Sequence, residues 1–208
     1  MAEYMSDDER LSRLRDWWNK NGAATVVGVV LAIVAVLGWQ WYQRYASGQL
    51  ATAAEAYADY QAATGDEKRR LGDAIVSEHT GTAYPTLVLL AQAQTAVREQ
   101  DFAAAETALS KAVTLATGAE LADIARLRLA RVQQAAERGT DALATLEQIR
   151  SVGMLSVARE IAGDIHLSQG DRKKAHESYA AALADLKTED QRGLLEAKLA
   201  DTADAADA

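Results

Sequence analysis

Apolar residues follow two different rhythms along this chain. Residues 22–41, GAATVVGVVLAIVAVLGWQW, carry no charge. At a helical rise of about 1.5 Å per residue they reach roughly 30 Å, the thickness of a bilayer's hydrocarbon core. From residue 46 onward the apolar positions instead recur every three or four residues, the spacing of helices with one buried face. The pattern predicts an all-α protein with a single N-terminal transmembrane helix and a helical domain behind it.

Turn residues mark the helix ends. The first external helix is predicted over 46–64, with Leu50, Ala54, Tyr57 and Gln61 on one face, Ala53 and Tyr60 beside it, and Gly65-Asp66 ending it. A second spans 67–79 on Leu71, Ile75 and Val76, and Thr80-Gly81-Thr82 breaks it. Pro85 falls in the first turn of a third, 83–99, where its missing N–H costs nothing. Pairs then recur. Helix 83–99 precedes Asp101-Phe102 and the series Ala105, Leu109, Ala112 and Val113. Helix 119–137 precedes Gly139, Ala142, Leu146 and Ile149. Helix 154–169 precedes Gly170-Asp171, Ala175, Tyr179, Ala182 and Leu183. Ala105, Ala142 and Ala175 are 37 and 33 residues apart. A period of about 34 residues, built of two helices and a tight turn, marks a tetratricopeptide-repeat-like α-solenoid.

The last pair fits the repeat best. Gly163 admits a close helix, Gly170 gives the turn its backbone freedom, Asp171 caps the next helix, and Tyr179 fills the gap between helices. The first pair has Ala93 for the first Gly and no turn Gly, and the middle one has Ala130 and a turn that reads as shifted. Residues 189–201, with Leu194, Leu195, Ala197 and Leu199, form an amphipathic cap. The expected organisation is a cytoplasmic tail (1–20), a transmembrane signal anchor (21–42), a repeat domain (46–201) and a disordered acidic tail (202–208).

The flanks of the apolar run sharpen its reading. Trp17 and Trp18 lie before it, and Trp39, Trp41, Tyr42 and Tyr45 close it. Such rings favour the headgroup layer, whereas a soluble core helix gains nothing from aromatic belts at both ends. A cleaved signal peptide has a shorter apolar region, and the nearby small-residue triplet Ala46-Ser47-Gly48 is displaced by the bulky 39–45 stretch. Arg10, Arg13, Arg15 and Lys20 precede the run and only Arg44 follows closely, so the N-terminus is expected in the cytoplasm and the repeats outside. Ala24, Gly28 and Ala32 form a small-residue face that another membrane helix could approach, although Ala and Gly are common in such segments anyway.

Composition narrows function by exclusion. The net charge of −8 belongs to the soluble part, since residues 1–45 carry five acids and five bases. Such a domain repels nucleic acid. The absence of Cys removes disulfides, thiol catalysis and Cys-ligated metal. The three histidines, His79, His166 and His176, fall in no metal-binding motif, and no nucleophile–base or phosphate-loop pattern is present. Acids are spread over helix surfaces as solvated faces. No cofactor, small-molecule substrate or enzymatic activity is expected. A repeat array offers instead a concave groove lined by the first helix of each pair. On repeat spacing, Leu87, Leu90, Gln94, Val97, Ile124, Leu127, Arg131, Val157, Glu160 and Leu167 would face it, and otherwise they pack the stack.

The order of charged tail, NGAATVVGVVLAIVAVLGWQWY, AAEAYADYQAA, LRLARVQ (127–133) and DALATLEQI (141–149) resembles the YfgM-type ancillary subunits of the bacterial SecYEG translocon. The resemblance covers nearly the whole chain. It implies an inner-membrane protein with one span and a periplasmic repeat domain. It also implies association with SecYEG and with a membrane-anchored periplasmic chaperone of the prolyl-isomerase type, and no catalytic residues. The Ala-rich helices and acidic terminus depart from the family and bear on partner affinity. The expected function is a non-catalytic adaptor linking translocating chains to periplasmic chaperones; the alternative is a scaffold for another envelope assembly, in cell-wall or respiratory-complex biogenesis.

Overall fold

The computed structural model describes residues 7–187 and 191–203, with the side chains of residues 7, 8 and 10 outside that description. All regular structure among these residues is helical. The chain divides into two units, Met1–Ala51 and Thr52–Ala208.

Helix α1 runs without interruption over Asp7–Ala62. It does not stop between the anchor and the first external helix, as the sequence pattern suggested. Residues 43–49 contain no Pro and no capping pair, and one Gly costs a helix only about 1 kcal/mol relative to Ala. Among the described residues α1 is the one helix long and apolar enough to cross a membrane. Its aromatic residues pair at both ends of the apolar run: Trp17 with Trp18 at 6.4 Å between ring centroids, and Trp41 stacked on Tyr45 at 5.9 Å. Ala24, Gly28 and Ala32 are exposed on it.

In the second unit α1 ends by burying Ala53 and Tyr60, while Gln61 stays exposed; Leu50, in the first unit, is exposed too. The buried face is thus turned from the Leu50–Gln61 line toward Ala53, Ala56, Tyr57 and Tyr60. Then follow α2 (Gly65–Glu78), α3 (Tyr84–Arg98), α4 (Phe102–Leu115), α5 (Ala119–Ala135), α6 (Gly139–Leu146), a 3-10 turn (Val152–Met154), α7 (Leu155–Ser168), α8 (Arg172–Ala184) and α9 (Arg192–Asp201). Helices α3–α4, α5–α6 and α7–α8 are three antiparallel pairs in one register. Position for position, Ala93, Ala130 and Gly163 on the first helices are buried, as are Ala105, Ala142 and Ala175 on the second.

Volume is traded across each pair. Leu109, Leu146 and Tyr179 occupy equivalent buried places. A Cβ on Gly163 would lie 2.6 Å from Tyr179 Cδ1, so the largest partner sits opposite the residue without a side chain. The other two pairs combine Ala with Leu.

The turns repeat as faithfully. Gln100, Glu137 and Gly170 all have positive φ, at 62°, 61° and 81°. Behind each, the next backbone N–H bonds a carbonyl five residues back: Asp101 to Ala96, Arg138 to Gln133 and Asp171 to His166, at 2.8–2.9 Å. The middle turn is therefore not shifted. Glu137 takes the left-handed position and Gly139 opens α6. Asp101 and Asp171 then cap α4 and α8 by accepting from Ala104 N and Lys174 N. The bond from the Lys174 backbone and its ammonium hold the Asp171 carboxyl below its usual range.

The α9 end is anchored past the expected boundary at 201. Thr202 is fully buried, its hydroxyl 3.2 Å from His176 Nδ1. Residues 204–208 of the acidic tail lie outside the described residues.

Candidate functional site: a groove along the first helices

The first helices present their C-terminal halves to one side of the stack. Between α3 and α5 this opens a cleft of about 280 Å³. Its floor is apolar: Leu90, Ala93, Leu109 and Val132 are buried and Phe102 half-buried. Its rim is Gln94, Val97, Arg128, Arg131 and Ala135, all exposed. Arg131 and Ala135 also border a neighbouring cleft of about 610 Å³ that continues to Gly139, Ser168 and Gln169. Gln94 borders another of about 980 Å³ toward Tyr60, Lys68 and Arg98. The three clefts adjoin at Gln94 on one side and at Arg131 and Ala135 on the other.

Four of the ten groove residues expected from repeat spacing meet here: Leu90, Gln94, Val97 and Arg131. The others do not line it. Ile124 packs on the core formed by α1–α5, and Leu127 and Val157 pack on that of α5–α7. Leu87 and Leu167 are half-buried outside the clefts. Glu160 is engaged by Lys198 Nζ at 2.7 Å. The spacing missed Arg128, Phe102, Val132 and Ala135. Arg128 was legible, because it stands one helical turn before Arg131 and shares its face.

At the C-terminal end the equivalent crevice is closed. Glu160 and Asp164 on α7 occupy the repeat positions of Leu90 and Gln94 on α3. Lys198 on α9 reaches both, at 2.7 and 2.8 Å. It also lies over the Tyr179 ring, whose hydroxyl donates to Asp164 at 2.8 Å. Burial opposes the Lys198 charge, but the two carboxylates outweigh it and raise its pKa.

One acid departs from the solvated surface expected of this composition. Asp123, in the first turns of α5, is 1 % exposed. It accepts from Arg150 N at 3.0 Å, Ser151 N at 2.8 Å, Ser151 Oγ at 2.7 Å and Arg126 Nη1 at 2.7 Å. Burial works against the charge, yet the bonds from Ser151, Arg150 and Arg126 hold the carboxyl at about 2. It closes the chain after α6, which is the shortest of the nine helices described, and leads it into the 3-10 turn. Thr86 and Ser156 hold the equivalent place on α3 and α7, and Ser156 Oγ donates to the Ala182 carbonyl at 2.8 Å. Asp123 and Ser156 are thus fastenings between successive segments of the stack, whereas the buried Thr86 hydroxyl bonds no described residue.

The fold defines an all-α protein with one N-terminal helix long and apolar enough to cross a membrane and a helical-repeat domain. The tetratricopeptide repeat-like domain family matches residues 15–204. The chain is 30% identical to the ancillary SecYEG translocon subunit of Haemophilus influenzae over 185 residues, 88% of this chain and 91% of the relative. It is 31% identical to that of Aggregatibacter actinomycetemcomitans over 188 residues, covering 88% and 91%. It is 26% identical to that of Escherichia coli over 186 residues, covering 88% and 90%. No solved structure matches it. The chain belongs to the YfgM-like family of ancillary SecYEG translocon subunits, with a tetratricopeptide-like repeat domain.

Proposed function

We propose that the protein is a non-catalytic adaptor tethered beside the SecYEG translocon, linking emerging secretory chains to periplasmic chaperones. The observation that carries this reading is the similarity to relatives named as translocon subunits, which runs through anchor and repeats alike. The open cleft between α3 and α5 is the proposed protein-binding surface. In this reading α1 crosses the inner membrane once, with its basic N-terminal flank in the cytoplasm and the repeats in the periplasm. Tethering raises the local concentration of the cleft at the exit site, so each contact with an unfolded segment can stay weak. The Ala24–Gly28–Ala32 face is the proposed contact for a neighbouring membrane helix.

Co-purification from detergent-solubilised membranes tests the partners. Recovery of SecYEG together with a membrane-anchored periplasmic chaperone is expected, and recovery of neither overturns the reading. Alkaline phosphatase fused after Ala208 should be active, and an inactive fusion rejects the orientation.

A further inference from the structure

The rim of the α3–α5 cleft carries two cations that no acid among the described residues pairs with. Arg128 and Arg131 are exposed, one helical turn apart on α5, and form no ion pair or hydrogen bond among the described residues. No Asp or Glu lines this cleft. Three other arginines of the stack are paired: Arg126 with Asp123, Arg138 with Glu106 and Asp141, and Arg159 with Asp185.

The closest comparison is inside the molecule. At the α7–α9 crevice the first helix supplies carboxylates, Glu160 and Asp164, and the following helix supplies Lys198 to meet them. At the α3–α5 crevice the same positions are Leu90 and Gln94, while the following helix still brings the cations. The acids are missing and an apolar hollow stands in their place. This arrangement is unusual for a chain of net charge −8, in which acids outnumber bases.

We infer that the α3–α5 cleft takes a partner-protein segment in which a bulky apolar side chain stands within one helical turn of an Asp or Glu. The apolar side chain enters the hollow over Leu90, Leu109 and Val132, and the carboxylate meets the two neighbouring positive charges of Arg128 and Arg131. The inference rests on the groove reading proposed above. The chain's own acidic tail, residues 201–208, is a poorer occupant because it contains no bulky apolar residue.

The test uses the full-length protein in nanodiscs and a phage-displayed random peptide library, with empty nanodiscs for counter-selection. Enriched peptides should carry Asp or Glu within four residues of Leu, Ile, Met or Phe. A synthetic copy should lose at least about tenfold in affinity on the double substitution Arg128→Glu/Arg131→Glu, and stay within about threefold on Arg128→Lys/Arg131→Lys. Both positions are exposed and unbonded, so an unchanged far-UV spectrum and urea midpoint verify folding. Binding that ignores the charge reversal but is abolished by Val97→Asp overturns the inference and leaves the groove reading standing. No enrichment, or binding indifferent to every one of these substitutions, overturns both. Competition by a synthetic 201–208 peptide, or a dimer relieved by the charge reversal, assigns the cleft to the chain itself and also overturns the inference.

Discussion

Asp123 is the residue whose removal should most clearly separate the repeats. The substitution Asp123→Asn keeps the shape and deletes the charge. A carboxyl held at about 2 rather than 3.8 contributes about 2 kcal/mol at neutral pH, at roughly 1.4 kcal/mol per pH unit. The side chain is buried, so solvent does not screen this contribution away. The sign follows from the lowered pKa. The stabilisation is fully present above pH 4 and is lost as pH falls from 4 toward 2, where the folded-state carboxyl takes up its proton. Wild type and variant should therefore differ by about 2 kcal/mol at pH 7, and the gap should close by about pH 2. Urea unfolding of the full chain in detergent micelles measures this. All four tryptophans lie in α1 before Tyr42, so circular dichroism at 222 nm is the suitable probe of the repeats. Equal midpoints at pH 7, or a gap that persists undiminished at pH 2, would refute the assignment of charge and hydrogen bonding at this site.

Three other outcomes are expected. Gly163→Ala should destabilise by about 1–3 kcal/mol through overpacking against Tyr179, and Tyr179→Leu in the same chain should recover much of the loss, since Ala with Leu is the pairing of the other two repeats. A double-mutant cycle in urea reads the coupling. Gln100→Gly and Glu137→Gly should each stabilise by about 0.5–1 kcal/mol, because both residues sit at positive φ, and raised urea midpoints check this. Lys198→Met should strip α9 of its link to α7, and hydrogen exchange should quicken across 195–201 while α3–α5 stay unchanged.

Much of this architecture is legible in the linear chain. The anchor announces itself because a bilayer demands a long uncharged run, a demand that neighbouring helices do not alter. Repeat register follows from small residues at fixed spacing: Ala105, Ala142 and Ala175 sit where two backbones cross, and any larger side chain would part them. The periodicity within α3, α5 and α7 likewise reports that one face is buried.

Periodicity does not say what covers a face. Leu127 and Val157 sit partly buried against the α5–α7 core and border none of the clefts described, whereas Leu90, itself buried in the α1–α5 core, floors one. Glu160 read as a groove residue until α9 laid Lys198 across it, 38 residues away in sequence. Asp123 read as surface because its partners at 150 and 151 lie 27 and 28 residues downstream. The left-handed turn at Glu137 was hidden for a related reason. Its strain is outweighed by three turn hydrogen bonds and the packing of α5 on α6, which no single residue discloses. Local chemistry thus determined the elements and their order, whereas long-range packing chose the exposed faces, and it is on those faces that the proposed partner-binding surface lies.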